Sequence, residues 1–207
     1  MRTVDVARAM RARTVQPSWV DYLEVVSVNG GELEVKRALV VVESMFGNTR
    51  RIADAIADGM APMLDVTVVN IGGAPDDLTG YDLLLVGGPT HVFGMSRPST
   101  RHDAAGQARD IAVPTGAGIR EWLDRLPHGH LPAAATFDTR INRPRLAGSA
   151  AKAAKRRLQR AGARIVAPAT SFYVTDTQGP LAPDELERAR GWGARLASDL
   201  AGATAAP

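Results

Sequence analysis

Short apolar runs alternate with amphipathic stretches over most of the chain. Arg37–Glu43 (RALVVVE) places five apolar residues in succession, which predicts a strand buried on both faces. Val66–Asn70 and Asp82–Gly87 (DLLLVG) repeat that pattern. Pro132–Asp138 supplies a fourth strand, and Ile165–Val174, interrupted at Pro168, a fifth. Between the strands the period changes to that of a helix. Ile52, Ile56 and Met60 share one face over 48–60, and Ile119, Trp122, Leu123 and Leu126 mark a second helix. A third spans Ser149–Ala161 and stops at Gly162, a residue suited to a left-handed cap. The last opens at Asp184 with Glu187 three residues on, a capping-box spacing, and turns Leu186, Ala189, Gly193, Leu196 and Leu200 inward.

Buried strands separated by helices imply a parallel sheet covered on both faces. Five of them in roughly 170 residues suit an open, doubly wound α/β sheet of order 2-1-3-4-5, because a barrel needs eight repeats. This domain is expected over 37–201, with a flexible tail at 202–207. Residues 1–36 stand outside the rhythm. There Tyr22–Val28 and Glu32–Val35 flank Asn29-Gly30-Gly31, a hairpin signal, and the alternative is a floppy extension. Arg97–Pro114 is long and polar for a loop in such a fold, which suggests a lid, a subunit contact or disorder.

Composition narrows the chemistry. With 45% apolar and 23% charged residues the chain is that of an ordinary globular protein. It has no cysteine, which excludes a disulfide framework, a thiolate metal site and a catalytic thiol. Redox chemistry would therefore need a bound cofactor. The four histidines, at 91, 102, 128 and 130, are too scattered to suggest a metal cluster. The longest strongly apolar runs, Ala38–Val42 and Leu83–Val86, fall far short of the roughly 20 residues of a membrane span, so the expected location is the cytoplasm. Lys152, Lys155, Arg156, Arg157, Arg160 and Arg164 make one helix strongly basic while leaving Ala153, Ala154, Leu158 and Ala161 for the core. That pattern is either a solvated face or a docking face for an acidic partner. No interleaved aromatics accompany it, so nucleic acid is not expected.

In a doubly wound sheet ligands sit beyond the carboxyl ends of the strands. Ser44-Met45-Phe46-Gly47-Asn48-Thr49 leaves the first strand with hydroxyls at both ends, a glycine, and a helix N-terminus beyond. That set either binds an anion through exposed N–H groups or is a tight turn capped by Asn48 or Thr49. It lacks the lysine of a phosphate-binding loop for triphosphates and the three glycines of a dinucleotide fingerprint, so a terminal monophosphate suits it better. Gly88-Pro89-Thr90-His91-Val92-Phe93-Gly94-Met95, after the third strand, adds backbone donors, a hydroxyl and a ring. Phe137-Asp138-Thr139-Arg140, after the fourth, completes a cup for a flat heterocycle. A phosphorelay receiver shares this topology but needs an acidic pair after the first strand, where Glu43 stands alone.

These three loops resemble the FMN-binding loops of the flavodoxin family, with a lean toward its branch of quinone reductases of the tryptophan-repressor-binding-protein type. The resemblance covers roughly residues 37–200 and implies a flavodoxin-like three-layer sandwich. It implies that Ser44, Phe46, Gly47, Asn48 and Thr49 hold an FMN phosphate, with Met45 in the same cofactor-binding loop. Pro89, Thr90, Val92, Phe93 and Gly94 would line one side of the isoalloxazine ring, and Phe137, Asp138 and Thr139 the other, with Arg140 or His91 as a nearby cation that would stabilise the reduced anion. The sequence departs from the family pattern at Phe46, which replaces a hydroxyl, and at Val92, an extra residue between Thr90 and Phe93. The expected function is noncovalent FMN redox chemistry: electron transfer, or two-electron reduction of a quinone-like acceptor by NAD(P)H or another reductant such as a deazaflavin. The quinone-reductase likeness also implies a homo-oligomer. The alternatives are a one-electron carrier for a dedicated protein acceptor and a non-catalytic binding or regulatory module.

Overall fold

The computed structural model describes residues 35–90, 94–107, 117–142 and 148–202. Five strands form one parallel sheet: β1 (Arg37–Val42), β2 (Asp65–Asn70), β3 (Leu83–Pro89), β4 (Ala133–Ile141) and β5 (Thr170–Val174), in the order β2-β1-β3-β4-β5. Successive strand residues point to opposite faces, and both faces are covered, which is why β1 reads as an unbroken apolar run. Val40, Val42, Leu85, Phe137 and Phe172 face α1 (Asn48–Met60) and α5 (Glu185–Gly202). Leu39, Val41, Leu84, Val86 and Ala134 face α3 (Ile119–Arg125) and α4 (Ala150–Ala161). The expected fold class and strand order are the ones observed. No helix among the described residues is long and apolar enough to cross a membrane.

Four local expectations need correction. The first part of the supposed polar loop is a helix, α2 (Pro98–Gln107). Pro98 suits a first helical position, and the Arg97 N–H donates to Thr100 Oγ1 at 2.8 Å, half of a capping box. Among its described side chains Arg101 is the buried one, and the sequence PSTRHDAAGQ has no apolar period to signal a helix. Residues 108–114 lie outside the described set. The second correction is to β4, which continues to Ile141, so 137–140 are strand residues and not loop. The third is to β5, which starts at Thr170; Ile165 makes only an isolated bridge to Ala134. The fourth concerns α5. Asp184 adopts φ 62 rather than the extended backbone of an N-cap, and Glu187 pairs with Arg190 at 2.7 Å instead of closing a box. Its buried face also includes Trp192, whose ring packs edge-on against Phe137 and Phe172.

Candidate functional site

The carboxyl ends of β1, β3, β4 and β5 meet along one edge of the sheet. Past Glu43 the chain turns through Ser44–Gly47, and Gly47 reaches the N-cap of α1 in the left-handed conformation, φ 82. A Cβ there would meet nothing within 4 Å, so the requirement for glycine is conformational rather than steric. The first N–H groups of α1 have no preceding helical carbonyl to bond, and the helix dipole adds positive potential beside them. Such a terminus is an anion cradle. Ser44 Oγ accepts from the Arg50 N–H at 3.2 Å and holds the loop against the first turn. Asn48 Nδ2 donates to the Gln178 carbonyl at 2.8 Å, which ties α1 to the segment after β5.

A cleft of about 260 Å³ opens at this edge. Met45, Phe46, Asn48 and Thr49 form one wall, and Pro89 and Thr90 from the end of β3 another. Thr139 and Arg140 of β4 contribute between them. The Thr49 and Thr139 hydroxyl oxygens lie 2.8 Å apart at the buried base of the first wall. Arg140 donates from Nη1 to the Gly148 carbonyl at 2.8 Å, which fixes its guanidinium at the start of α4. Ser44 and Gly47 shape the loop behind the cleft rather than line it. Gly94 is buried with φ 143, and His91, Val92 and Phe93 lie outside the described residues.

Phe137 and Asp138 do not line the cleft, contrary to the expectation for the third loop. Because β4 continues through them, its alternation turns Phe137 into the core beneath Gly87, where a Cβ would come within 2.0 Å of the ring. Asp138 turns the other way and is fully buried. Its Oδ2 accepts from Thr90 Oγ1 at 2.9 Å, Ser149 Oγ at 2.6 Å and the Ala151 N–H at 3.0 Å. Thr90 Oγ1 in turn accepts from the Ala150 N–H at 2.9 Å. Asp138 thus joins the second loop to the N-terminus of α4 and shapes the cleft from behind.

The sequence reading missed three cleft residues, Ile141, Val174 and Thr177. Val174 and Thr177 follow the same rule as the others, since they sit at and just past the carboxyl end of β5. A second missed feature is the buried network behind the site. Glu43 Oε2 accepts from the Ile119 N–H at 2.9 Å, Arg101 Nη1 donates to Ser96 Oγ at 3.0 Å, and Arg101 lies 3.3 Å from Glu121. Glu121 Oε2 also accepts from the Gly118 N–H at 2.8 Å. Burial pushes the Glu121 carboxyl up, but the N–H groups of Gly118 and of Glu121 itself, with Arg101, together bring it below the ordinary glutamate value. Glu43 is therefore a buried brace between β1 and α3, not an exposed acid.

No protein-family model matches the chain, and no curated protein matches it in sequence. Solved structures do match. A flavodoxin from the domain Archaea is 18% identical with a TM-score of 0.56, over 80% of this chain and 99% of its own. Flavodoxin 2 from Bacillus cereus is 21% identical with a TM-score of 0.56, over 81% of this chain and 99% of its own. A flavodoxin from Agrobacterium tumefaciens described as WrbA-like is 20% identical with a TM-score of 0.50, over 81% and 98%. At these identities the likeness establishes the architecture: the chain has the flavodoxin-like fold.

Proposed function

We propose that this chain is a redox protein that binds FMN noncovalently in the cleft and transfers electrons through it. The observation that carries the reading is the convergence of the left-handed Gly47 turn, the first turn of α1 and the Thr49–Thr139 hydroxyl pair on one open cleft. This donor set fits a phosphate monoester, and the cleft between Phe46, Pro89 and Val174 offers apolar walls to a flat ring. FMN when bound supplies reversible one- and two-electron chemistry.

The chain's own part is binding, orientation and charge. Asn48, Thr49 and the backbone of 46–49 hold the phosphate, with Ser44 keeping their loop closed. Pro89 and Thr90 lie along the ring, and Thr139 with Arg140 approaches from β4. The Arg140 cation at the cleft wall favours a negatively charged reduced cofactor, which supports paired-electron transfer. On that basis the reaction proposed is reduction of a quinone-like acceptor at the expense of NAD(P)H.

The first experiment is a flavin titration followed by stepwise anaerobic reduction of the complex. Saturable FMN binding, and direct passage from oxidised to fully reduced spectra through one set of isosbestic points, is the expected result. Two separate spectral stages would replace the quinone reductase with a one-electron carrier. Absence of flavin binding would overturn the functional reading and leave the fold in place.

A further inference from the structure

Charge is placed unevenly along the chain. Between Asp138 and Asp176 it carries nine basic residues and no acidic one, whereas the remainder holds 16 basic against 22 acidic. The net +3 therefore combines a basic block with an otherwise acidic protein. Most of that block is α4. Its buried side consists of Ala150, Ala151, Ala154, Leu158 and Ala161. Lys152, Arg156 and Arg160, at four-residue spacing, are turned outward and exposed, and Arg164 extends the line beyond the Gly162 cap.

Over its first turns this stripe opposes the helix's own energetics, whereas Arg160 in the last turn suits the dipole. Like charges four residues apart repel, and the first turn has no acidic residue to complement the dipole. Among the described residues, Arg157 is the α4 cation with a carboxylate partner, Asp124 at 2.9 Å. On neighbouring α3, Arg120 rests on the carbonyls of Met95 and Ser96 at 3.1 and 3.3 Å. Burial, followed by repulsion from Arg157 and Arg97, holds its guanidinium below the ordinary arginine value. Uncompensated charge of one sign disfavours the isolated fold and becomes favourable when an anionic surface approaches.

The stripe begins at the cleft. Arg140 and Thr90, both on the cleft wall, bond to Gly148 and Ala150 at the start of α4. From there α4 extends for about 18 Å. We propose that this face of α4 docks a small acidic redox protein that serves as reductant in place of NAD(P)H: its reduced form is oxidised by one electron in each of two successive encounters, and the flavin in the cleft takes up the two electrons that the quinone-like acceptor then receives. The electron exchange rests on the flavin reading above; the docking rests on the charge pattern alone. Other polyanions match less well. Single-stranded nucleic acid is held by aromatic platforms between the charges, and Gln159 and alanines occupy those places here. A membrane-surface helix needs an apolar outer face, and the apolar residues of α4 point inward.

The test is calorimetric titration of the full chain with an acidic iron–sulfur ferredoxin, with and without FMN, at low and at physiological salt. Expected is saturable binding in both forms, weakened by salt, and about tenfold weaker in the triple variant Lys152→Ser, Arg156→Ser, Arg160→Ser. FMN affinity of that variant is expected to stay unchanged. Equal ferredoxin affinity in the native and variant chains overturns the proposal. So does tighter binding of duplex DNA or of phosphatidylserine vesicles than of ferredoxin at the same salt. Ferredoxin docking without FMN uptake supports the surface and overturns the flavin reading; FMN uptake without docking does the reverse.

Discussion

Thr49 illustrates how single side chains decide the cleft. It is the second residue of α1, nearly fully buried, and its hydroxyl meets that of Thr139 at the cleft base. Replacing it with valine keeps the shape and removes the hydrogen bonding. Thr49→Val is expected to weaken FMN by about 1–3 kcal/mol, the range for a lost bond to a charged group, in a fluorescence titration. Arg51→Ala, on the exposed side of the same turn, should leave affinity unchanged. Asp138 acts on stability instead. Asp138→Ala leaves the Ser149 and Thr90 hydroxyls and the Ala151 N–H without their common acceptor, and a loss of about 2–4 kcal/mol in denaturant unfolding is expected. The two residues also show what the sequence could reveal of the site. The 44–49 loop was legible because its residue types state their chemistry where they stand. The sequence presents Asp138 as a ligand-facing residue because the face it occupies depends on where β4 ends, and the polar sequence after Phe137 gives no sign that the strand continues.

At the scale of elements, α1 and α5 come close enough that their backbones meet at two glycines. A Cβ at Gly193 would sit 2.1 Å from the Ile56 carbonyl oxygen, and one at Gly59 2.0 Å from that of Arg190. Neither backbone can yield without separating the helices. Gly193→Ala is therefore expected to destabilise by about 1–3 kcal/mol through overpacking. Gly191→Ala, two residues earlier in the same helix, meets only the end of the Arg195 side chain at 3.6 Å, and should instead stabilise by up to about 1 kcal/mol through helix propensity. Thermal unfolding of both variants reads the opposite signs. The start of α3 makes a pH prediction. Because the folded Glu121 value is lowered, its stabilising contribution is complete above the ordinary glutamate value of about 4.3 and is lost as pH falls through the lower, folded one. The stability gap between the native chain and Glu121→Gln should therefore be present at neutral pH and shrink in denaturant titrations at about pH 3. Elements held by apolar faces, such as β1, α1 and α4, were legible from period alone. Pro98–Gln107 was not, since its sequence has no apolar period.

At the scale of the whole molecule, both hydrophobic cores and every described cleft residue fall within the compact unit Val35–Pro207. The unit is closed near its first residues. Lys36 Nζ donates to the Leu200 carbonyl at 2.8 Å, and the Arg37 N–H to Asp82 Oδ2 at 2.8 Å. We propose a working boundary just before Val35, because these bonds tie Lys36 and Arg37 to the unit and a polar anchor such as Lys36 leaves no mark on hydrophobic periodicity. Deleting 1–34 should then keep FMN affinity within about twofold and preserve a single cooperative unfolding transition. Bound flavin should also protect the shortened chain: at a hundredfold excess over Kd, mass action adds about 2.7 kcal/mol, a rise of several degrees in Tm. A scan of the shortened chain with and without FMN checks all three expectations. Loss of the flavin-dependent rise on truncation would mean that residues before Val35 take part in the site. Loss of cooperative unfolding would mean instead that they belong to the core.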